Sequence, residues 1–269
     1  FAYCLAPVHC KGPSPQVTLR IMADNAAPVF LLTRPRAQSE RFATQMRSVL
    51  GAQADIRIHP LQEIVTLAVP LDLAGVGALA FTSENGVRAF AEQNPARDLP
   101  AFCVGDRTAA VADELGFAAH SASGGVGELA DLISSRPPRP SPEGRILHLH
   151  GQHKAGDLVS ALRRKGLDAE SCAIYEQRIL APQPDLAAVL NGNRPIIAPV
   201  FSPRSAAIFS QAVAEGAVGS EEAGARVFAI AISQATRDAL SPELAAACEV
   251  LARPSGEDML LSLAKHNSP

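Results

Sequence analysis

Short apolar runs alternate along the chain with polar loops and with stretches of helical period. The first run is Val29–Leu32, and the polar loop Thr33–Arg36 follows it. Apolar positions then recur at helical spacing from Ser39 to Leu50, and Gly51 stands where a helix commonly ends. A strand, a polar loop and an amphipathic helix in this order predict a parallel α/β sheet.

The same unit of strand, loop and helix recurs later in the chain. Each later loop contains glycine or serine, which suits a turn from a strand into a helix. The predicted strands are 79–81, 101–104 and 146–149, and the predicted helices cover 87–93, the residues up to Gly116, and 156–165.

The two halves of the chain repeat these units in the same order, with local likeness in sequence. The matched pairs are 81–90 with 201–209, 104–108 with 232–236, and 29–51 with 146–166. Chance likeness between generic strand–loop–helix units is the alternative explanation. An internal duplication explains all three pairs and predicts two similar, flavodoxin-like α/β domains with parallel sheets.

Two extended stretches, 55–60 and 171–176, each follow the first helix of a half. We expect them to pair as strands where the chain crosses between the domains. The predicted bounds are 28–57 with 177–269 for the first domain, 62–172 for the second, and 58–61 with 173–176 for the two linker strands.

Residues 1–27 are expected to be a leader or an added extension, disordered and outside the fold. Residues 1–21 lack sustained periodicity, and Met22 comes shortly before the first strand. A secretory signal would need a continuous apolar segment, which the run His9–Lys11 interrupts.

Composition and charge narrow the classes of function. The chain has 24 Lys and Arg against 27 Asp and Glu, so a broad basic surface for nucleic acid is excluded. Aromatic residues make up 4% and there is no Trp, which disfavours stacking platforms for bases or sugars. No apolar run reaches the length of a membrane span. We therefore expect a cytoplasmic protein with neither a nucleic-acid nor a membrane partner.

Several motifs are incomplete, and each has a simpler explanation. The five cysteines form no C-x-x-C pair and are expected to be small buried side chains in a reducing compartment. Ser123–Gly127 lacks the Lys-Ser/Thr of a phosphate-binding loop and is expected to be a turn before a helix over 128–134. His148, His150 and His153 lack a Cys or carboxylate at ligand spacing, so no metal site is predicted. Hydrolase motifs such as G-x-S-x-G and H-E-x-x-H are absent as well.

Hydroxyl and amide side chains follow the predicted strands, where ligands bind in parallel α/β sheets. Helix N-termini there carry unpaired N–H groups and a positive dipole end, which favour anions. Because Ser, Thr and Asn are also preferred helix caps, a purely structural role is the alternative for each residue. Together they predict a cleft for a ligand with several carboxylates or phosphates. The candidates are Thr82, Ser83, Asn85, Gly86, Thr108, Ser202, Ser205, Ser233 and Thr236.

Cationic side chains could add charge to the same site. Arg34 and Arg36 lie in the first loop, and Lys154 lies in an analogous loop after Gly151. Each could form a charge-assisted hydrogen bond with an anion. An ordinary exposed position is the alternative for each of them.

Tyr175 is the sole tyrosine beyond residue 27 and stands in a predicted linker strand. A phenol with a pKa of about 10 stays protonated at neutral pH and can donate a proton to a departing oxygen. A packing role at the hinge is the alternative. The residue alone leaves both interpretations open.

The ordered set of motifs resembles the uroporphyrinogen-III synthase family over residues 29–263. The motifs are Leu32-Thr-Arg-Pro35, Phe81-Thr-Ser-x-Asn-Gly-Val87, Val104-Gly-x-x-Thr-Ala109, Ile174-Tyr-Glu176, Phe201-Ser-Pro-x-Ser-Ala206 and Ile230-Ala-Ile-Ser233-x-x-Thr236. The resemblance implies two α/β domains joined by a two-stranded linker, with the active site in the cleft between them. It also implies a cytoplasmic, monomeric enzyme of tetrapyrrole synthesis that uses no metal or organic cofactor.

The resemblance further implies a substrate and a mechanism. The substrate is hydroxymethylbilane, a linear tetrapyrrole with an acetate and a propionate on each ring. The ring-A hydroxyl leaves as water, an azafulvene forms, and ring D attacks through its substituted carbon. The spiro intermediate then fragments and closes again with ring D inverted, which gives uroporphyrinogen III.

The resemblance also assigns roles to the candidate residues. Tyr175 becomes the catalytic candidate that assists loss of the hydroxyl, while Arg34 and the loop residues named above hold carboxylates, largely through backbone N–H groups. The loop His150–Lys154 lacks the arginine-glycine often found there in the family, which leaves its role open. A transient contact with hydroxymethylbilane synthase is the expected protein partner.

Two other classes of protein fit the same pattern. A two-domain binding or sensor protein could close on a polycarboxylate ligand without chemistry. A two-lobed sugar transferase is the other class, although the chain is short for it and lacks aromatic stacking residues. The isomer formed from hydroxymethylbilane separates these classes, because uncatalysed closure gives the symmetric type I ring.

Overall fold

The computed structural model describes residues 26–136, 144–153, 156–216 and 226–267. The predicted leader lies outside the described residues except for Ala26 and Ala27, and Lys154 lies outside them as well.

Apolar strands alternate with helices through the described chain, as the sequence pattern predicts. None of the described helices is both long and apolar enough to cross a membrane. The strands are β1 Val29–Leu32, β2 Asp55–Ile58, β3 Gln62–Thr66, β4 Val76–Phe81, β5 Ala101–Cys103, β6 Ala119–Ser121, β7 Arg145–Gly151, β8 Ala169–Ile179, β9 Ile196–Val200, β10 Val227–Ala231 and β11 Cys248–Val250. The helices are α1 Arg36–Leu50, α2 Glu84–Gln93, α3 Asp106–Glu114, α4 Val126–Ser135, α5 Leu158–Arg164, α6 Pro184–Leu190, α7 Pro203–Gly216, α8 Gln234–Asp238, α9 Pro242–Ala246 and α10 Gly256–Lys265.

The strands form two sheets with corresponding strand orders. The first sheet has the order β2-β1-β9-β10-β11, and its neighbouring strands are all parallel. The second has the order β3-β8-β7-β4-β5-β6, and its strands from β8 to β6 are parallel neighbours. The sequence pairs matched above place β1 with β7, β9 with β4 and β10 with β5, which hold equivalent positions. The first sheet has the flavodoxin-like order 2-1-3-4-5 along its own strands, and the second has the same arrangement as a circular permutation, with the order 5-4-1-2-3 from β8 to β6. The predicted fold class is confirmed.

Both faces of each sheet are buried, which explains why its inner strands are continuous apolar runs. In β1, Phe30 and Leu32 pack in one cluster with Met46 of α1, whereas Leu31 packs in another with Phe209 of α7. Successive side chains of a strand point to opposite faces, so these two clusters cover the two sides of the first sheet.

The described chain divides into two units that interrupt each other in sequence. Unit 1 combines the residues up to Glu63 with those from Ile179 onward, and unit 2 is Ile64–Arg178. The divisions fall inside β3 and β8, a few residues later along the chain than the predicted crossings at 58–61 and 173–176.

The strand that accompanies β8 is β3 rather than the predicted stretch 55–60. The Leu67 N–H donates to the Ile174 oxygen and the Leu180 N–H donates to the Leu61 oxygen, each at 2.9 Å, which is an antiparallel pattern. The stretch 55–60 instead supplies β2, which pairs with β1. An alternating sequence predicts a strand but not its partner, and that choice depends on the surrounding fold.

Helix starts lie earlier than the apolar period predicts. α1 begins at Arg36 rather than Ser39, and α2 begins at Glu84 rather than Val87. The first turn of α1 is exposed and needs no apolar residue, whereas the first turn of α2 buries Asn85 and Gly86 rather than large apolar side chains. Hydrophobic periodicity therefore detects neither turn. The Arg36 side chain is 67% exposed and pairs with Glu40 at 3.8 Å, so it belongs to the helix surface rather than to the loop.

Candidate active site

In each sheet, successive strands of the chain lie on one side of a starting strand and then on its other side, so the strand order reverses at one point. In unit 2 the chain continues from β4 to β5 and β6 on one side, and from β7 to β8 on the other. Ligands of open α/β sheets bind beyond the carboxyl ends of the strands at such a reversal. The loops after β4 and β7 are therefore the expected binding edge of unit 2, and those after β1 and β9 are the equivalent edge of unit 1.

A β-bulge in β8 brings Tyr175 to this edge of unit 2. His150 of β7 pairs with Ala173, but Gly151 pairs with Tyr175, so Ile174 is an extra residue in the ladder. Bulges bend a strand and re-aim its side chains. Ile174 and Tyr175 accordingly lie in the same buried cluster although consecutive side chains of a regular strand point to opposite faces.

The Tyr175 side chain is closely surrounded and its residue is only 7% exposed. Its hydroxyl is hydrogen-bonded with the side chains of Ser83 and Asn85 and with the backbone of Gly151. A Cβ on Gly151 would lie 2.6 Å from Cε2 and 2.7 Å from Cζ of the ring, so this approach requires glycine. We call Tyr175, Ser83, Asn85 and Gly151 the phenol cluster.

The phenol cluster has two effects on the Tyr175 hydroxyl: burial favours its protonated form, and the hydrogen bonds stabilise the phenolate that remains when the proton is donated. Burial raises the pKa of Tyr175 above its ordinary value of 10.0, while the hydrogen bonds with Ser83, Gly151 and Asn85 oppose that rise. The phenol is therefore protonated at neutral pH. The same three groups stabilise the phenolate, which is the state that a general acid must reach after it donates.

Ser83 connects the phenol to the first turn of α2. It is the N-cap of this helix, and its Oγ accepts a hydrogen bond from the Asn85 N–H at 3.2 Å. Gly86 is buried in the same turn, where a Cβ would lie 2.9 Å from the Leu149 carbonyl oxygen. Close packing of α2 against β7 therefore explains the glycine, and a contact of Gly86 with substrate stays a prediction.

Two buried histidines of β7 contact the loops at this edge. His148 Nε2 lies 3.2 Å from Thr82 Oγ1, and His150 Nδ1 lies 2.6 Å from the Gly151 oxygen. Their ring centroids are 5.0 Å apart. Within the described ranges, no group of three or more His, Cys, Asp or Glu could hold a metal ion. The sequence gives no local signal for the contact of His150 with Gly151, because it depends on how the chain turns after β7.

Thr108 lies at the next loop of unit 2, after β5. It is 6% exposed and stands in the first turn of α3, whose N-cap is Gly105. The Thr108 N–H donates to the Gly105 carbonyl oxygen at 3.0 Å. The helix-cap alternative therefore does not apply to this side chain, and its contact with substrate stays a prediction.

In unit 1 the equivalent edge carries Arg34 after β1 and Phe201 after β9. The guanidinium carbon of Arg34 lies 4.2 Å from the centre of the Phe201 ring, which is a cation–π contact. Phe42 packs edge-on against the same ring at 5.1 Å. The contact between Arg34 and Phe201 connects the loop after β1 with the loop after β9, and it places the positive charge of Arg34 at this edge of the sheet.

Ser202 and Ser205 form a polar pair at the start of α7. Ser202 Oγ accepts the Ser205 N–H at 3.1 Å, and the two hydroxyl oxygens are 2.8 Å apart. Gln62 Nε2 donates to Ser205 Oγ at 3.4 Å. Ser202 is thus a helix cap, and the substrate contacts predicted for both serines stay predictions.

Ser233 and Thr236 repeat this arrangement at α8. Ser233 Oγ accepts the Thr236 N–H at 3.3 Å and lies 3.0 Å from Thr236 Oγ1. Thr236 is fully buried at 0% exposure. Burial favours the structural alternative for its side chain, and a contact of Thr236 with substrate stays a prediction.

Two further sequence motifs are explained by packing. The Gly125 N–H donates to the Glu128 carboxylate at 2.9 Å, so an internal anion occupies the place that a phosphate would take in this loop.

Cys103 and Cys248 are buried, and burial raises their thiol pKa values to about 12 and about 11. Such thiols are poor nucleophiles at neutral pH.

Ser83 has two contacts, and their effects can be separated by comparing Ser83→Ala with a variant that loses only a helix cap. Ser83→Ala removes a helix cap, which costs about 1 kcal/mol, and also a hydrogen-bond partner of the Tyr175 hydroxyl. We expect lower stability, a higher Tyr175 pKa and a slower reaction. The matched control is Ser255→Ala, which removes the N-cap of α10, where Ser255 Oγ accepts the Asp258 N–H at 3.0 Å. Equal rates for the two variants, measured beside urea unfolding, would show that the phenol does not depend on Ser83.

The fold and the site define a class of protein. Two flavodoxin-like units, each with polar side chains at the reversal of its sheet, characterise an α/β protein that acts on or binds a small molecule. A buried phenol with stabilising donors favours an enzyme within this class.

The sequence profile described as "Uroporphyrinogen-III synthase HemD" matches residues 48–260. This range is more than half of the chain, and the chain belongs to the uroporphyrinogen-III synthase family. The family membership confirms the predicted enzyme class, a cyclising lyase of tetrapyrrole biosynthesis that forms uroporphyrinogen III. It gives no support to a non-catalytic sensor or binding protein.

One solved structure shows the same fold, and a second aligns less well. The uroporphyrinogen-III synthetase from Helicobacter pylori 26695 aligns with a TM-score of 0.60 at 19% identity, over 88% of this chain and 98% of that chain. A mutant uroporphyrinogen III synthase from the extremely thermophilic bacterium Thermus thermophilus aligns with a TM-score of 0.47 at 19% identity, over 88% and 98% of the two chains. A search of the curated proteins finds no match.

Proposed function

We propose that Tyr175 is the general acid with which this uroporphyrinogen-III synthase starts the cyclisation of hydroxymethylbilane. The phenol donates its proton to the hydroxyl of the ring-A hydroxymethyl group. The carbon–oxygen bond breaks, water leaves, and the pyrrole supplies the electrons, so that a protonated azafulvene forms beside the phenolate. Ring D then attacks through its substituted carbon, and the spiro intermediate reopens and closes to uroporphyrinogen III.

The contacts of the phenol cluster support Tyr175 as the general acid. Ser83, Asn85 and the backbone of Gly151 are hydrogen-bonded with the Tyr175 hydroxyl, so they stabilise the phenolate left after proton transfer. Burial keeps the phenol protonated until a leaving oxygen takes the proton. The cluster stands at the reversal of the second sheet, where the fold favours ligand binding.

The loops that follow the strands would hold the substrate carboxylates. The N-terminus of α2 offers backbone N–H groups and a positive dipole end. Arg34 adds a full charge in unit 1 and is pre-oriented by Phe201. The proposed binding positions, mainly through their backbone groups, are Thr82, Ser83, Asn85, Gly86, Thr108, Ser202, Ser205, Ser233 and Thr236.

Catalysis in this proposal is largely positional. Head-to-tail closure occurs without a catalyst, so the protein must hold the chain where ring D attacks through its substituted carbon. We propose that the chain works as a cytoplasmic monomer, and that hydroxymethylbilane synthase delivers the substrate in a transient contact.

The direct test is the product isomer. Freshly prepared hydroxymethylbilane is mixed with the protein, and the products are oxidised and separated by chromatography into type I and type III isomers. We expect type III to predominate, against type I in the protein-free control. A type I product at the protein-free rate would overturn the proposed function.

A further inference from the structure

The His150 side chain is hydrogen-bonded to the peptide group between Gly151 and Gln152. A carbonyl oxygen can only accept a hydrogen bond, so the 2.6 Å contact between His150 Nδ1 and the Gly151 oxygen places the proton on Nδ1. His150 is 6% exposed, and its ring packs beside that of His148 at an interplanar angle of 46°, with centroids 5.0 Å apart. The imidazole is therefore held in one orientation by its surroundings.

The same peptide also binds the backbone of Tyr175. The Gln152 N–H donates to the Tyr175 carbonyl oxygen at 3.0 Å. The oxygen of this peptide is thus fixed by His150, and its N–H is fixed by the strand that carries the phenol. Rotation of the peptide would break both hydrogen bonds together.

Because Gly151 contacts the ring of Tyr175, the fixed position of the Gly151–Gln152 peptide also limits where the ring can lie. A Cβ on Gly151 would lie 2.6 Å from the ring of Tyr175, so the ring rests directly on the glycine backbone. The Gly151 backbone is also hydrogen-bonded with the phenol oxygen. A shift of the loop after β7 would therefore move the surface against which the ring packs.

We propose that His150 is a positioning residue for this reaction: its imidazole fixes the Gly151–Gln152 peptide and thereby holds the Tyr175 hydroxyl between Ser83 and Asn85. This inference rests on the proposed function of Tyr175 and extends it to a residue beyond Ser83, Asn85 and Gly151, the hydrogen-bond partners of the phenol oxygen. His150, at the end of β7, thereby gains a specific role.

Two amide variants test the role of Nδ1. His150→Asn places an amide N–H near the position of Nδ1, whereas His150→Gln places its amide farther out, near Nε2. We expect kcat to fall roughly tenfold in His150→Gln with KM changed less than about twofold, because a displaced acid slows chemistry more than binding. His150→Asn should stay within about threefold of the unmodified protein. Equal kcat values for the two variants would overturn the proposal.

The phenol itself gives a readout that does not require activity. The chain has two tyrosines and no Trp, so in a Tyr3→Phe background the ultraviolet absorbance of phenolate reports Tyr175 alone. In rapid pH jumps, recorded before unfolding, we expect the Tyr175 transition to move to higher pH in His150→Gln and to stay in place in His150→Asn. An unchanged transition in His150→Gln contradicts the positioning role.

His120→Asn is the control for loss of a histidine in unit 2. His120 lies on β6, where its ring is 5.1 Å from that of Phe102, and neither rate nor titration should change. The titration also separates the two proposals. If the unmodified protein forms no type III isomer, the proposed function fails, while the phenol titration still decides whether His150 positions Tyr175.

Discussion

Tyr175→Phe should slow formation of the type III isomer by about a hundredfold or more, which is the usual contribution of a general acid. The change removes only the hydroxyl and keeps the ring that fills the buried cluster around Ile174. Loss of the hydrogen bonds with Ser83, Asn85 and Gly151 should cost about 1 kcal/mol of stability. KM should change much less than kcat, because the missing proton acts in the transition state. Initial rates of type III formation and urea unfolding measure the two effects.

The second tyrosine supplies the matched control for this change. Tyr3→Phe makes the same chemical substitution elsewhere in the chain and should leave rate and stability unaltered. An unmodified rate in Tyr175→Phe would return Tyr175 to a packing role. Stability alone cannot produce the expected difference, because both variants are assayed far below their unfolding midpoints.

Gly151→Ala should lower both the rate of type III formation and the stability of the protein. The added Cβ would lie 2.6 Å from Cε2, 2.7 Å from Cζ and 3.0 Å from the hydroxyl oxygen of Tyr175, so the ring must move. Overpacking of this kind costs about 1–3 kcal/mol. A displacement of the acid by about 1 Å lowers the rate by roughly a hundredfold. Type III formation and urea unfolding are again the measurements.

Gly127→Ala is the control for Gly151→Ala. Gly127 lies in α4, and an added methyl group there would meet nothing within 4 Å, so alanine should leave the rate unchanged and stabilise the helix by about 0.5–1 kcal/mol. The double variant Gly151→Ala, Tyr175→Phe gives a sharper test. If Gly151 acts through the phenol, the double variant should be no slower than Tyr175→Phe alone. Additive losses would show that Gly151 affects the reaction by another route.

The strands and the loops after them were predictable from local sequence. Continuous apolar runs such as Val29–Leu32 indicate strands buried on both faces, and their order with the helices indicates parallel sheets. Likeness between 81–90 and 201–209 led to the duplicated fold, and the two sheets have corresponding strand orders. These features depend on composition and period, which a sequence carries directly.

The candidate site was predictable only in part. Tyr175, Ser83 and Asn85 were candidates, and the structure brings them together at one hydroxyl group. Thr236 was also a candidate, but it is fully buried and supports a helix cap. Hydroxyl residues at helix starts look alike in sequence whether they bind a ligand or only cap the helix, so local pattern cannot separate the two roles.

The sequence by itself determined the α/β class, the two repeated units and the family motifs, because hydrophobic period and local turn chemistry act between near neighbours. The tertiary structure alone decided that β3, rather than the stretch 55–60, accompanies β8. It also decided that a bulge at Ile174 turns Tyr175 onto Gly151, and that His150 fixes the adjoining peptide. The register of two strands distant in sequence is set by how both pack in the finished sheet, and no local pattern encodes it.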